Sequence, residues 1–291
     1  MDPPAPTCLI LRYHHQVICA RLFAALLLLP CALSSEAQNI PSTYLGFDRN
    51  LYPGDASLKT LRQTFSYSGY WLNNPPGESS NTWRGHRAAI NSAGFGFLVL
   101  FNGRLYSQLK SVTNAKRLGS NDAAIAAASA RREGFRPGII IFLDQEQGGL
   151  MLPEQKAYIY AWVDGIVGAG FRAGIYCSGM PDTANGNVVT AEDIRQNAGS
   201  RKIVYWAIND VCPPSPGCSF SQRAPKPADS AVAFAEVWQF AQSPRRKDVA
   251  ARCNNYNPDG NCYPPGISPA QSVHIDLNTA TSSDPSHGRI Q

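Results

Sequence analysis

One triplet in the chain places two carboxylates at a spacing that suits acid/base chemistry. Asp144-Gln145-Glu146 follows directly on the apolar run Ile139-Ile-Ile-Phe-Leu143. In a β-strand, residues i and i+2 share a face and lie roughly 6.5–7 Å apart, so both carboxylates enter the same space. Two close like charges, and the loss of water around them, raise a carboxyl pKa. A Glu146 raised in this way can protonate a leaving oxygen while its partner stays ionised, which is the equipment of a glycoside hydrolase. A purely structural carboxylate pair, or a cation site at a strand end, is the competing reading of such a triplet.

The elements that carry these residues repeat. Eight short runs rich in β-branched and aromatic residues occur at 44–48, 69–72, 96–101, 138–144, 173–177, 202–207, 236–240 and 272–276. Several are apolar without alternation, as strands covered on both faces are. Helix-like segments at 57–65, 83–91, 121–133, 153–169 and 190–197 separate them. Strand and helix in this rhythm predict right-handed βαβ units around a parallel sheet. The expected fold is α/β, a single (β/α)8 TIM-type barrel over 38–280. Its late helices are expected to be short or replaced by the Pro-, Ser- and Cys-rich loops at 209–230 and 243–269. A polar tail, 281–291, is expected to fray.

In a parallel barrel, chemistry gathers at the C-terminal ends of the strands. Asp48 ends the first run, Asp144 and Glu146 the fourth, and Asp276 the eighth. Barrel closure would set Asp276 beside Asp48, with the fourth strand across the mouth. Tyr70, Trp71, Tyr176, Trp206 and Trp238 fall at or near strand ends, where sugar rings can stack their C–H faces on aromatic side chains. Asn102, Arg104, Gln239 and Asn278 are the candidate donors and acceptors for sugar hydroxyls. Plain core packing is the competing reading for each aromatic. No nucleophile elbow, zinc-protease helix, P-loop or dinucleotide fingerprint has a supporting context, and no metal or cofactor is expected.

The N-terminus reads as a secretory signal. Arg12 and Arg21 precede the apolar run from Leu22 to Leu33, followed by small residues up to Ala37. Removing 1–37 leaves 254 residues, close to the size of one barrel. Two basic and two acidic residues leave with it, so the formal charge of +5 is unchanged. Export agrees with the cysteines. Cys212/Cys218 and Cys253/Cys262 each bracket a short loop, and the spacing predicts two local disulfides with Cys177 buried and free. Among 291 residues 44% are apolar and 16% charged, which is globular composition. No apolar run is long enough to span a bilayer, which takes roughly 18 residues, and no basic block points to nucleic acid. A secreted, periplasmic or wall-associated monomer is expected, without stable membrane insertion.

Taken in order, Gly46-Phe-Asp48, Leu143-Asp-Gln-Glu146, Gly174-Ile-Tyr176, Trp206, Trp238-Gln-Phe240 and Ile275-Asp-Leu-Asn278 resemble glycoside hydrolase family 25 lysozymes. The chain resembles more closely the family 1906 domains of unknown function, which are described as glycoside-hydrolase-like. The resemblance covers roughly 42–280. It implies a TIM-type barrel that cleaves the β-1,4 bond of peptidoglycan, or of a related amino-sugar polymer, without a metal. It implies Glu146 as the general acid and Asp144, Asp48 and Asp276 as the other pocket carboxylates. The implied mechanism is retaining, with the substrate's N-acetyl group as a candidate nucleophile. Arg49-Asn50 depart from the small or aliphatic residue and Ser usual after the first Asp, and the Cys-bearing loops can reshape the cleft. A glycan-binding barrel without turnover is the alternative, and a metal-dependent deacetylase or amidase a third.

Overall fold

The structure, a computed structural model, describes Met1, residues 43–221 and residues 223–290. The leader expected at 1–37 falls, but for Met1, outside them. Among the described residues ten strands occur in chain order: β1 Tyr44–Asp48, β2 Tyr67–Trp71, β3 Gly96–Asn102, β4 Ile140–Asp144, β5 Arg172–Ser178, β6 Pro181–Asp182, β7 Val188–Val189, β8 Ile203–Ile208, β9 Val237–Ala241 and β10 Asp276–Ala280. Between them lie α1 Asp55–Leu61, α2 Arg87–Ser92, α3 Val112–Arg132, α4 Pro153–Gly168 and α5 Thr190–Asn197. Eight strands close into a barrel in the order β1-β10-β9-β8-β5-β4-β3-β2, and β6 and β7 form a separate small hairpin. The fold is α/β and barrel-shaped, as the strand–helix rhythm predicts.

Apolar side chains fill the barrel and the layer under the helices. Phe47, Phe97, Phe142, Trp206 and Leu277 are all at most 1% exposed. α3 starts well before the expected 121, because Ser111 caps it by accepting a hydrogen bond from the Asn114 N–H at 3.3 Å. Its Gly119 lets the helix approach α4 closely, since a Cβ there would lie 2.2 Å from the Tyr158 carbonyl oxygen. No α-helix lies between β8 and β9 or between β9 and β10 among the described residues, in line with the expected loss of late helices.

The parallel sheet has one exception. β10 runs antiparallel to both neighbours, β1 and β9. The strand also starts where the expected eighth run ends. Residues 272–275 alternate apolar and polar like a strand, but they form the approach, with the Ile275 N–H bonded to the Cys262 carbonyl at 3.0 Å. The strand proper, Asp-Leu-Asn-Thr-Ala, carries polar Asp276 and Asn278 on its inner face and so lacks a hydrophobic signature. The two differences cancel. Asp276 opens a reversed strand, so it still stands at the mouth, paired in register with Asp48.

The reversal also decides the disulfides and the C-terminus. The loop after β8 and the loop from β9 to β10 both rise from the mouth as neighbours. The bridges cross between them, Cys212–Cys253 and Cys218–Cys262, with Cα separations of 5.2 and 5.6 Å. The expected local pairs, Cys212–Cys218 and Cys253–Cys262, do not form; spacing along the chain could not show that two loops meet in space. Cys177 is free and buried, as expected. Because β10 ends at the opposite end of the barrel, residues 281–290 run across that end instead of lying free. Ser286 is fully buried, its hydroxyl accepts from the Val99 N–H at 2.8 Å, and its carbonyl accepts from Ile140.

The bridges close loops of 41 and 44 residues, for which lost chain entropy corresponds to about 4 kcal/mol each. Peptide mapping under non-reducing conditions is expected to recover Cys212 linked to Cys253 and Cys218 linked to Cys262, and reduction to lower the unfolding temperature. A Cys212–Cys218 peptide would show the crossed pairing to be wrong.

Candidate active site

Seven strands place the polar groups of the mouth. Along each, alternate residues face inward, so Asp48, Trp71, Asp144, Tyr176, Trp206, Gln239 and Asp276 come together. They line a hollow of about 140 Å³ completed by Asn50, Pro76, Leu100, Glu146 and Gln242. Gly69 makes room for the first carboxylate, because a Cβ there would lie 2.8 Å from the Asp48 Cβ.

Two amides organise the carboxylates. The Trp206 indole N–H donates to Asn278 Oδ1 at 3.0 Å, which turns the Asn278 amide nitrogen toward Asp48 Oδ1 at 2.6 Å. The Tyr176 hydroxyl donates to Gln239 Oε1 at 2.7 Å, which turns Gln239 Nε2 toward Asp48 Oδ1 at 3.0 Å and Asp276 Oδ2 at 3.4 Å. The Ser243 N–H donates to Asp276 Oδ1 at 2.6 Å. Tyr176 and Trp206 also pack on each other, their ring centroids 4.5 Å apart. The aromatic wall therefore fixes the amides, and the amides hold Asp48.

Burial raises all four carboxyls. Asp48 is pushed up to about 6 by burial, against the pull of its two amide donors. Asp276 is raised well above the usual carboxylate range by burial and then by the charge of Asp48. Asp144 is raised well above it too, by burial and then by Glu146, with which it shares a hydrogen bond. Glu146 is raised by burial, opposed by that hydrogen bond and by the charge of Arg246. The sequence reading expects the raised carboxyl on Glu146. The structure raises both, and Asp144 is the more deeply buried of the pair, with an unpartnered Oδ1, whereas Glu146 keeps more contact with solvent at the opening.

Four expected site residues lie elsewhere. Tyr70 and Trp238 are one position out of phase with their inward neighbours Trp71 and Gln239. Tyr70 faces outward among Trp83, Phe97 and Phe135, its hydroxyl donating to Glu133 at 2.5 Å. Trp238 donates to the Asn209 carbonyl at 2.8 Å and packs on Phe240. Arg104 is held by Asp122 through bonds of 2.6 and 2.9 Å. Asn102 ends β3 and turns aside, its Nδ2 donating to the Asn74 carbonyl at 3.0 Å. Asn102 and Arg104 line a separate groove.

Two charged residues near the mouth escaped the sequence reading as a pair. Arg246, from the β9–β10 loop, donates its Nε to Asp210 Oδ2 at 2.9 Å, joining that loop to the one after β8. Asp210 stands two residues past the end of β8, and the strand-end rule that selects Asp48 could have found it. Among the described residues no group of three or more His, Cys, Asp or Glu side chains is arranged to hold a metal ion. The arrangement can share a proton between two carboxyls and present it at an aromatic-walled opening.

Residues 65–243 match the family described as Rv2525c-like, glycoside hydrolase-like domain. Among solved structures, an uncharacterized B. stearothermophilus protein is 22% identical, covering 81% of this chain and 95% of that one, with a TM-score of 0.54. The Mycobacterium tuberculosis Tat-secreted protein Rv2525c, solved in complex with HEPES, is 11% identical over 85% of this chain and 98% of its own, with a TM-score of 0.47. The modular autolysin LytC from Streptococcus pneumoniae, in complex with a synthetic peptidoglycan ligand, is 12% identical over 81% of this chain and 46% of its own, with a TM-score of 0.47. No curated protein matches the chain.

The raised carboxyls set the pH dependence of stability. Each holds its proton more tightly folded than unfolded, so the folded state binds more protons and loses stability as pH rises. For Asp48 that contribution is present below about 4, the ordinary carboxyl value, and is lost as pH rises through about 6. Thermal unfolding is expected at higher temperature at pH 5 than at pH 8. Asp48→Asn, which keeps an acceptor for both amides, is expected to raise the midpoint at pH 8 more than at pH 5. An equal shift at both values would contradict the assignment.

Proposed function

The chain belongs to the Rv2525c-like, glycoside hydrolase-like family, and on that basis we propose that its barrel mouth cleaves β-1,4 bonds in peptidoglycan or a related amino-sugar polymer. The observation that carries this reading is the Asp144–Glu146 pair in a hollow walled by Trp71, Tyr176 and Trp206. Membership alone supports a glycoside hydrolase-like domain; muramidase chemistry, and kinship with family 25 lysozymes or the family 1906 domains, rest on the residues named.

Glu146, at the opening, passes the shared proton to the glycosidic oxygen. Both carboxylates of the pair are then ionised, and they stabilise the positive charge that develops on the sugar ring. As the bond from the anomeric carbon to the protonated glycosidic oxygen breaks and the leaving sugar departs as an alcohol, the carbonyl oxygen of the substrate's N-acetyl group closes on that carbon. Water then opens the intermediate with retention, returning a proton to the Asp144–Glu146 pair and restoring the acetamide. Asp48, held by Gln239 and Asn278, and Asp276, held by Gln239 and the Ser243 N–H, complete the polar lining of the hollow. The aromatic walls take the C–H faces of the sugar. The protein works as a monomer after loss of its leader, and outside the cytoplasm; the two inter-loop disulfides support the oxidising compartment.

Digestion of purified wall polymer, with products read by mass spectrometry, tests the reading. New reducing ends on N-acetylmuramic acid are expected. Glu146→Gln is expected to lower turnover by at least about 10²-fold, and Asp144→Asn to lower it through lost charge stabilisation. A nitrophenyl glycoside, whose leaving group needs no proton, is expected to rescue Glu146→Gln in part and Asp144→Asn not at all. Full activity in Glu146→Gln would overturn the mechanism, and binding of wall polymer without any product would make the barrel a glycan receptor.

A further inference from the structure

The end of the barrel opposite the mouth is cationic. The chain segments that enter β4, β5, β8 and β9 border two hollows there. The larger, about 640 Å³, is rimmed by Arg172, Arg195, Arg201 and Lys202 over an apolar floor that includes Phe171, Val204 and Tyr205, and Glu236 is the one carboxylate among its lining residues. The smaller, about 280 Å³, is rimmed by Arg87, Arg136 and Arg289 with His287, and no carboxylate lines it. The hollows are neighbours across a strap in which Gly138 bonds to the Gly170 carbonyl and Arg172 to the Ile139 carbonyl, each at 2.8 Å.

Part of this charge is structural. Helix C-termini lie at this end, and their carbonyls attract cations. Arg201 donates to the Ala198 carbonyl at 3.1 Å and pairs with Asp164. Arg289 donates to the Gly94 carbonyl at 2.6 Å, and Arg87 to the Gly288 carbonyl at 2.8 Å. Arg136, Arg172 and Lys202 do nothing of the kind. All three are exposed, and among the described residues none has a side-chain hydrogen bond or an ion pair. Arg195 lies over the Phe234 ring at 4.2 Å, with no carboxylate partner. Unpaired cations on one face repel each other, and the field they focus favours an anion.

We infer that this basal face binds a linear polyanion with a sugar- or polyol-phosphate backbone. The larger hollow has the size of a ligand site, for which roughly 300–1,000 Å³ is usual. Arginine forks match phosphate oxygens in pairs, and the apolar floor suits the C–H faces of the backbone between phosphates. Two cationic hollows side by side suit a repeating polymer better than a single small anion. The face lies at the far end from the carboxylates, so a polymer held there leaves the mouth open. This inference does not depend on turnover at the mouth.

Calorimetric titration of the exported chain with purified poly(glycerol phosphate) tests it. Binding is expected, and it is expected to weaken as salt rises, because bound counterions are released. The triple variant Arg136→Gln, Arg172→Gln, Lys202→Gln is expected to bind about tenfold more weakly or worse with an unchanged unfolding temperature. Glu146→Gln is expected to bind as the parent does, whatever its effect on turnover. No binding of the polymer, equal binding by the triple variant, or binding of anionic lipid vesicles but not of the polymer would each overturn the inference.

Discussion

Because β10 runs against both of its neighbours, its first residue stands at the mouth and its last at the base. That single pairing closes the barrel, and closure removes the exposed sheet edge that an open arrangement would leave. It sets Asp276 beside Asp48 and puts Asn278 within reach of Asp48 and Trp206. It makes the link from β9 to β10 a loop above the mouth, beside the loop after β8, where the two disulfides and the Asp210–Arg246 pair join them. It also delivers the C-terminal segment to the base, where Ser286 and Asp284 take up the N–H groups of β3.

The mouth concentrates charge that a folding chain would otherwise keep in water. Burying carboxylates is costly unless they are neutralised or hydrogen-bonded, and this site does both. Gln239 and Asn278 hold Asp48 with oriented N–H groups, while burial pushes Asp144 and Glu146 toward their neutral forms. The orientation is not free: Tyr176 and Trp206 donate to the amide oxygens, so the amide nitrogens must face the acids. Removing either aromatic donor would leave an amide free to turn. The aromatic residues therefore serve twice, as the wall of the hollow and as the groups that fix its polar lining.

Charge is also sorted by end. A modest formal charge of +5 conceals an acidic mouth and a basic base. The helices contribute to this, since in a barrel built from βα units their C-termini collect at the base and draw arginines to it. Arg136, Arg172 and Lys202 exceed what those carbonyls use.

Seven of the barrel strands, the body of the long helices and the acidic triplet were legible in the sequence because each is a local pattern. Continuous apolar runs mark β3, β4 and β8, Pro153 marks the start of α4, and Asp144-Gln145-Glu146 follows its apolar run without a gap. The strand-end rule also reached Asp48 and Asp276. Four matters were decided only by tertiary structure. The direction of β10 was not legible, because its inner face is polar and the residues before it alternate like a strand. The disulfide partners were not, because cysteines pair with what is near in space, and two neighbouring loops bring Cys212 to Cys253 instead of Cys218. The inward or outward aim of adjacent aromatics was not either: Trp71 and Tyr70, like Gln239 and Trp238, differ by one step along a strand, and composition cannot tell the two phases apart. Which of the two paired carboxyls holds the proton depends on burial, and burial is a property of the closed barrel alone.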